Sequence, residues 1–555
     1  MDKEKSLAQM SRPTPQDIAA THFDAIIIGA GINGAGIARD AALRGLRVLL
    51  LDKGDICSGT SSWSSRLIHG GLRYLEYFEV GLVRESLRER ERLLKLAPHL
   101  VKPLPMLIPI YERGRRGPML IRTGMMLYDI LSPDKSLPRH QMLKAAEALR
   151  RAPGLDPKGL RGAAIYYDAQ AEFAERLVVE NALSAREHGA TVLTYARAER
   201  LIVENEAVCG VELTDMLSGK LYAARASFTL NVAGPWVDEI LTGSKSSSGK
   251  LIGGTKGSHL IVEKFACAPE DALYVEASAD GRPFFIIPWN GKILIGTTDL
   301  RYEGDLDRVE ASVDEMAYLI SETNRVLPAA KLARESILYT YAGVRPLPSA
   351  KDGAASGITR RHFIHDHAPD FKNFFSIVGG KLTTYRNLSE QAVDLIFKKL
   401  GQKFRRSTTA QSPLPGAQTD NFAAFSEKFL SSRDSSFNEA ALERFLGIYG
   451  TRAVDVLKIA EEDAELKRIF DAETGAIGAE IVLAFRAELA ETLSDCLLRR
   501  TMVGLNSTAG LEAVENAAQL ARQFLGWTES RAEQETEAYR EYVRRFHPAA
   551  MKHRV

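Results

Sequence analysis

Three glycines, Gly29, Gly31 and Gly34, stand between a short apolar run and a helical pattern. A glycine turn of this spacing suits the binding of a pyrophosphate. Gly29 permits a tight turn, Gly31 leaves the backbone bare toward a ligand, and Gly34 lets the helix approach its strand. The helix that follows offers free N–H groups and the positive end of its dipole, with Asn33 beside them. Asp52 ends the next apolar run, at the distance where an acid accepts hydrogen bonds from ribose hydroxyls. Phe23–Ile28, Ala35–Leu43 and Arg47–Leu51 thus make one βαβ unit.

A second loop of small residues follows, with Ser61, Ser62, Ser65 and Arg66, and then His69-Gly70-Gly71. So close to the first turn, it suits an extended FAD reaching past its pyrophosphate. Two histidines titrate near working pH and sit beside small residues that leave room for a ligand, His69 and His259. His259 is the favoured general base, and His69 a contact to flavin or the active site. Lys381 follows Gly379-Gly380, where backbone can approach a ring. A cation there would offset negative charge growing on a flavin during hydride uptake.

These segments resemble the FAD-dependent, quinone-linked glycerol-3-phosphate dehydrogenases. The resemblance is carried by Gly31-Ile32-Asn33-Gly34-Ala35-Gly36-Ile37-Ala38 and by Ser64–Glu76. It continues through Lys256-Gly257-Ser258-His259, Ile287-Pro288-Trp289, Gly296-Thr297-Thr298-Asp299 and Val344-Arg345-Pro346-Leu347. Gly379–Arg386 and Leu498-Arg499-Arg500-Thr501 complete it. It implies oxidation of sn-glycerol 3-phosphate to dihydroxyacetone phosphate, with electrons passed to a membrane quinone. A related polyol phosphate such as erythritol phosphate, or oxygen as acceptor, stays open. The resemblance points to Arg73, Arg345 and Arg360 as the phosphate clamp, since guanidinium forks match phosphate oxygens. Tyr74 and Thr298 complete the expected substrate pocket, and Gly234, Gly380, Leu382 and Thr383 the expected cofactor set. Arg499 and Arg500 are adjacent, so on a regular helix at most one of them is expected to reach a phosphate.

The rest of the chain must position these groups. Its 555 residues are 45% hydrophobic and 26% charged, enough for a large core. With 72 basic and 71 acidic residues the net charge is +1, which excludes binding nucleic acid through bulk charge. The same balance gives no support for RNA binding, and in a flavin-binding sensor or tRNA-modifying subunit the arginine-rich motifs would lack a purpose. Four scattered cysteines argue against a disulfide framework or a zinc cluster, and no metal is expected. No apolar run is long enough to span a bilayer. Arg113, Arg115, Arg116 and Arg122 accompany an apolar stretch through Leu131, which suits lying on an anionic lipid surface. The expected location is the cytoplasmic face of the cell membrane.

The predicted fold class is α/β: a Rossmann-like FAD-binding domain interleaved with a mixed β-sheet substrate domain, plus an all-helical C-terminal domain. Residues 1–22 are an N-terminal extension. Residues 23–400 hold the interleaved domains, with FAD mainly on 23–75, 160–255 and 340–400 and substrate mainly on 76–159 and 256–339. Residues 401–420, with Ser412, Pro413, Pro415 and Gly416, read as a linker, and 421–555 as the helical domain. Its helices could cap the active site, hold a homodimer together or carry the docking surface.

Overall fold

The computed structural model describes residues 12–112, 114, 116–242, 249–349, 359–431 and 437–547. At its centre is a six-stranded sheet in the order Phe363–Asp366, Phe374–Val378, Thr229–Asn231, Ala25–Ile28, Val48–Leu51, Thr191–Leu193. The inner pairings are parallel, with Ile27 opposite Leu50 and Leu230. Ala25–Ile28 and Val48–Leu51 are buried at every position, which is why they read as continuous apolar runs. Ile27 and Leu50 face the helices Ile32–Leu43, Ala174–Glu187 and Tyr385–Leu400. Ile26, Ile28 and Leu49 face a smaller sheet built on Ala196–Glu204, Ala207–Asp215 and Leu221–Ala226.

The second large sheet has ten strands. Val101–Tyr111 pairs antiparallel with Leu160–Ala171, and Thr255–Val262 pairs with both Lys292–Gly296 and Ile337–Arg345. Leu67–Ile68, Leu160–Ala171 and Ile337–Arg345, which lie wholly or mostly in the stretches read from the sequence as the FAD portion, are strands of this second sheet. Apolar patterning marks a strand but not the partner that takes its hydrogen bonds.

The segment 401–420 is irregular, as its prolines require, but it is docked and not a free linker. Arg39 Nη2 donates to the carbonyls of Ser412 and Pro413, Leu414 is buried, and Gly416 N donates to Glu180. The described part of the C-terminal domain is helical apart from one short pair, Ile469–Asp471 with Ala476–Ile477. A buried charge cluster joins it to the body. Arg176 grips Glu488 through two hydrogen bonds of 2.6 and 2.8 Å, and Arg452 adds a third. Burial alone would raise the Glu488 carboxyl, but Arg176 and Arg452 outweigh it and hold it down to about 2.

Removing one partner of such a pair leaves buried charge uncompensated. Glu488→Gln should lower stability by about 3–5 kcal/mol in urea unfolding at neutral pH. The folded carboxyl is depressed, so its stabilisation is present above the ordinary value of 4.5 and lost as pH falls toward about 2. The variant should lose that part of the acid dependence.

Candidate active site

A cavity of about 940 Å³ lies between the two large sheets and extends from the glycine turn to a group of cations. At the turn, Gly29 has φ +110°, and a Cβ there would lie 2.6 Å from Val232 O. Gly34 is tighter still, since its Cβ would fall 1.8 Å from Gly29 O. Gly34 is therefore behind the cavity wall, packing helix on strand as its place in the motif predicts. Gly31 faces the cavity, with Ser61 Oγ accepting the N–H of the next residue, Ile32. Asp52 also lines the cavity, and its carboxylate accepts from Ala30 N at 2.6 Å and Gly54 N at 2.9 Å. That carboxylate ties the acid at the end of one strand to the glycine turn at the end of the other.

Two features bear on whether these residues fit the expected dinucleotide. Gly380 is left-handed at φ +98°, and a side chain there would collide with Asn33. Asn33 Oδ1 and Lys381 Nζ are buried at this place without a hydrogen-bond partner. The bare backbone of Gly31, the ribose-type acid and these free polar atoms line one elongated cavity, and they fit FAD. Gly234, Leu382 and Thr383 line it as well, and Thr383 Oγ1 accepts from His69 N.

The second loop behaves less uniformly than its composition suggests. Ser61 and Ser65 line the cavity, but Ser62 is buried and donates to Cys57 O. Arg66 touches the wall, yet its guanidinium is spent inward. It forms two hydrogen bonds to Glu175, at 2.6 and 2.8 Å, and lies 4.5 Å over the Trp289 ring. Burial works against the Arg66 charge, but Glu175 outweighs it and raises the group above its ordinary value. Gly70 is also behind the wall. Its N–H donates to Tyr128 Oη at 2.9 Å, and that hydroxyl donates to Asp168, which Arg90 neutralises.

His259, the expected general base, sits outside the cavity wall. It is buried behind Ser65, with Nε2 2.9 Å from Ser65 Oγ and its ring against Tyr341, and it does not line the cavity. Burial, then Arg345 and Arg66, push the imidazole well below 6.5. Burial and the two arginines thus disfavour the charged imidazole. His69 does line the cavity, and burial lowers it to about 4 despite Asp168 nearby. Thr298 is likewise behind the wall, donating to Glu315, while its neighbour Asp299 stands in the cavity.

The cationic end is built around Asp299. Arg345 Nη1 and Arg360 Nη2 reach its two oxygens at 3.2 and 3.0 Å. Burial opposes the Asp299 charge, but Arg345 and Arg360 hold it below the usual carboxylate range. Arg73 and Tyr74 come from the 3-10 turn Leu72–Tyr77, which the left-handed Gly71 starts. Lys381 Nζ sits 3.8 Å over the Tyr74 ring, and burial lowers it to about 7. Asp299 thus pairs with Arg345 and Arg360, and Arg73 and Lys381 line the same cavity. Tyr542, Arg545 and Phe546 also reach the cavity, and their distance along the chain gave no sign of it. Trp236, over which Lys53 lies at 4.7 Å, was equally unmarked.

Comparison with known proteins shows the family. Residues 24–385 match the family described as FAD dependent oxidoreductase, and residues 407–532 the C-terminal domain of alpha-glycerophosphate oxidase. The chain is 46% identical to a glycerol-3-phosphate dehydrogenase of Synechocystis sp., covering 95% of this chain and 97% of that protein. It is 34% identical to glycerol-3-phosphate dehydrogenase 2 of Mycobacterium tuberculosis, covering 94% and 88%. The solved glycerol-3-phosphate dehydrogenase from Bacillus halodurans, complexed with FAD, superposes with a TM-score of 0.79 at 28% identity, covering 97% of each chain.

The buried histidines make an acid-side prediction. Both imidazoles are depressed when folded, so their stabilisation is present above the ordinary value of 6.5 and lost as pH falls. The melting temperature should therefore drop between pH 7 and 5, and drop less steeply in His259→Phe. Equal slopes in the two proteins would show that His259 is not held neutral.

Proposed function

The chain belongs to the FAD-dependent glycerol-3-phosphate dehydrogenase family, and we propose that it oxidises sn-glycerol 3-phosphate to dihydroxyacetone phosphate in this cavity. The observation that carries the reading is a pair of buried guanidinium atoms at the cavity without hydrogen-bond partners: Arg73 Nε and Arg360 Nη1. Charged groups removed from water are unfavourable until a counter-charge meets them. A phosphate monoester supplies that charge, and Arg345 and Arg360, already aligned on Asp299, present guanidinium forks to its oxygens.

The reaction takes a hydride from the secondary carbon and a proton from its hydroxyl. FAD bound along the glycine turn supplies the two-electron acceptor. The proton goes to Lys381 Nζ. Lys381 lines the cavity, has a free lone pair in its neutral form, and titrates at about 7. His259, the base favoured on sequence grounds, is screened from the cavity by Ser65. Once protonated, Lys381 is the cation that offsets negative charge on the reduced cofactor, the role its place after Gly379-Gly380 suggested. His69 and Tyr74 close the pocket around the reacting carbon and exclude water.

Electrons leave to a membrane quinone, which requires contact with a lipid surface. Among the described residues no helix is long and apolar enough to cross a membrane. The helix Pro118–Ile130 buries Ile121, Met125 and Tyr128 and exposes Met119 at 79% and Ile130 at 68%. Beside it Phe78, left-handed at φ 57°, is 89% exposed. Large apolar side chains held outward in a cluster favour a headgroup layer on the cytoplasmic face of the cell membrane. Arg122 is exposed there, but Arg116 is engaged by Glu76 and Glu276. Arg113 and Arg115 lie outside the described residues.

Anaerobic titration with sn-glycerol 3-phosphate should bleach the flavin band of the purified protein. Bleaching only by a four- or five-carbon polyol phosphate would move the substrate. Arg360→Met should raise KM about 10- to 100-fold while FAD stays bound. Lys381→Met should lower kcat by about 100-fold or more. In the wild type, kcat/KM should rise with pH through about 7, as the amine loses its proton. A flat profile would remove Lys381 as the base. Met119→Asp with Ile130→Asp should abolish binding to anionic vesicles without altering the flavin spectrum, and unchanged binding would refute the docking surface.

A further inference from the structure

The motif Leu498-Arg499-Arg500-Thr501 has no part in the cavity, although the sequence suggested that one of its arginines could reach a phosphate. Neither Arg499 nor Arg500 lines it. Both instead hold Asp55, three residues beyond the ribose-type acid Asp52. Arg499 Nε donates to Asp55 Oδ2 at 2.6 Å, and Arg500 donates to Oδ2 at 2.9 Å and Oδ1 at 2.8 Å. Adjacent residues on a regular helix point apart, but Cys496–Arg500 is a π-helical turn. Such a turn re-aims side chains and is frequent at functional sites. All three charged groups are buried, and Arg499 also pairs with Asp495.

The loop that carries Asp55 is tied both to the glycine turn and to the strand end at Leu193–Ala196, with Ile56 and Cys57 in the core. Asp52 receives Ala30 N and Gly54 N, and Cys57 N donates to Ala30 O. Gly54 O accepts Tyr195 N, and the Tyr195 hydroxyl donates to Asp495, the same acid that Arg499 holds. One network therefore runs from the helical domain through Asp55 to the backbone beside the glycine turn.

We propose that Asp55, gripped by Arg499 and Arg500, is a positioning residue through which the C-terminal domain sets how tightly the chain retains FAD. Without the grip, residues 52–57 must be ordered at the moment of cofactor binding, and that entropy is taken from affinity. With it, Asp52 and the glycine turn are already in place. The inference rests on the FAD reading above.

The test uses full-length protein, wild type and Asp55→Asn, with FAD affinity and release followed by flavin fluorescence. Asp55→Asn should weaken FAD binding about tenfold and narrow the gap between holo and apo melting temperatures, since ligand stabilisation follows affinity. Unchanged FAD affinity, with both melting temperatures lowered equally, would overturn the proposal and leave a purely structural pair. If Asp55→Asn does not fold, Arg499→Lys carries the test, because it keeps the charge and loses the fork. Its FAD release should be about threefold faster, and a wild-type rate would overturn the proposal. A wild-type protein that never binds FAD would instead overturn the reading beneath it.

Discussion

Gly34 meets the carbonyl oxygen of Gly29 so closely that no side chain fits between the helix and the turn. This contact fixes where the first helix begins relative to its strand, and the rest of the site is referred to it. The turn sets Gly31 bare toward the cavity, brings Ala30 N to Asp52, and places Asn33 against Gly379 and Gly380. Residues from the start, middle and end of the FAD-binding part thereby converge on one backbone conformation. Glycine is needed because a Cβ at either position would collide with backbone atoms, which have no room to yield.

Charge is the second constraint, and the molecule treats its buried cations in two ways. Arg66, Arg90, Arg176, Arg386 and Arg500 are deep in the protein and each is matched with a carboxylate. These pairs hold loops and domains in register, and they are weak evidence for stability in themselves because desolvation offsets much of the attraction. At the cavity, Arg345 and Arg360 share Asp299, and Arg73 Nε, Arg360 Nη1 and Lys381 Nζ have no hydrogen-bond partner.

The surface helix and the active site are also mechanically connected. Tyr128, on the inner face of the helix Pro118–Ile130, accepts the N–H of Gly70 in the loop that carries His69. Asp168 and Arg90 lock the tyrosine hydroxyl in that position. A segment that exposes Met119 and Ile130 on one side thus supports the reaction pocket on the other.

The amino-acid sequence by itself determined the βαβ unit, the glycine turn with Asp52 and the helical character of the C-terminal part. Those features follow from local periodicity and from glycines whose conformation no other residue adopts at the same spacing. The resemblance to the family pointed to Arg73, Tyr74, Arg345 and Arg360, and the glycines before Lys381 marked that residue; all five line the cavity. Tertiary structure alone decided which side of the wall a residue occupies. It put Ser65 in the cavity and His259 behind it, and it chose Asp299 over Thr298. It turned Arg66 inward to Glu175, docked 401–420 through Arg39, and brought both Arg499 and Arg500 to Asp55. Most of these depend on a partner more than a hundred residues away, and burial, hydrogen bonding and pKa are properties of the pair.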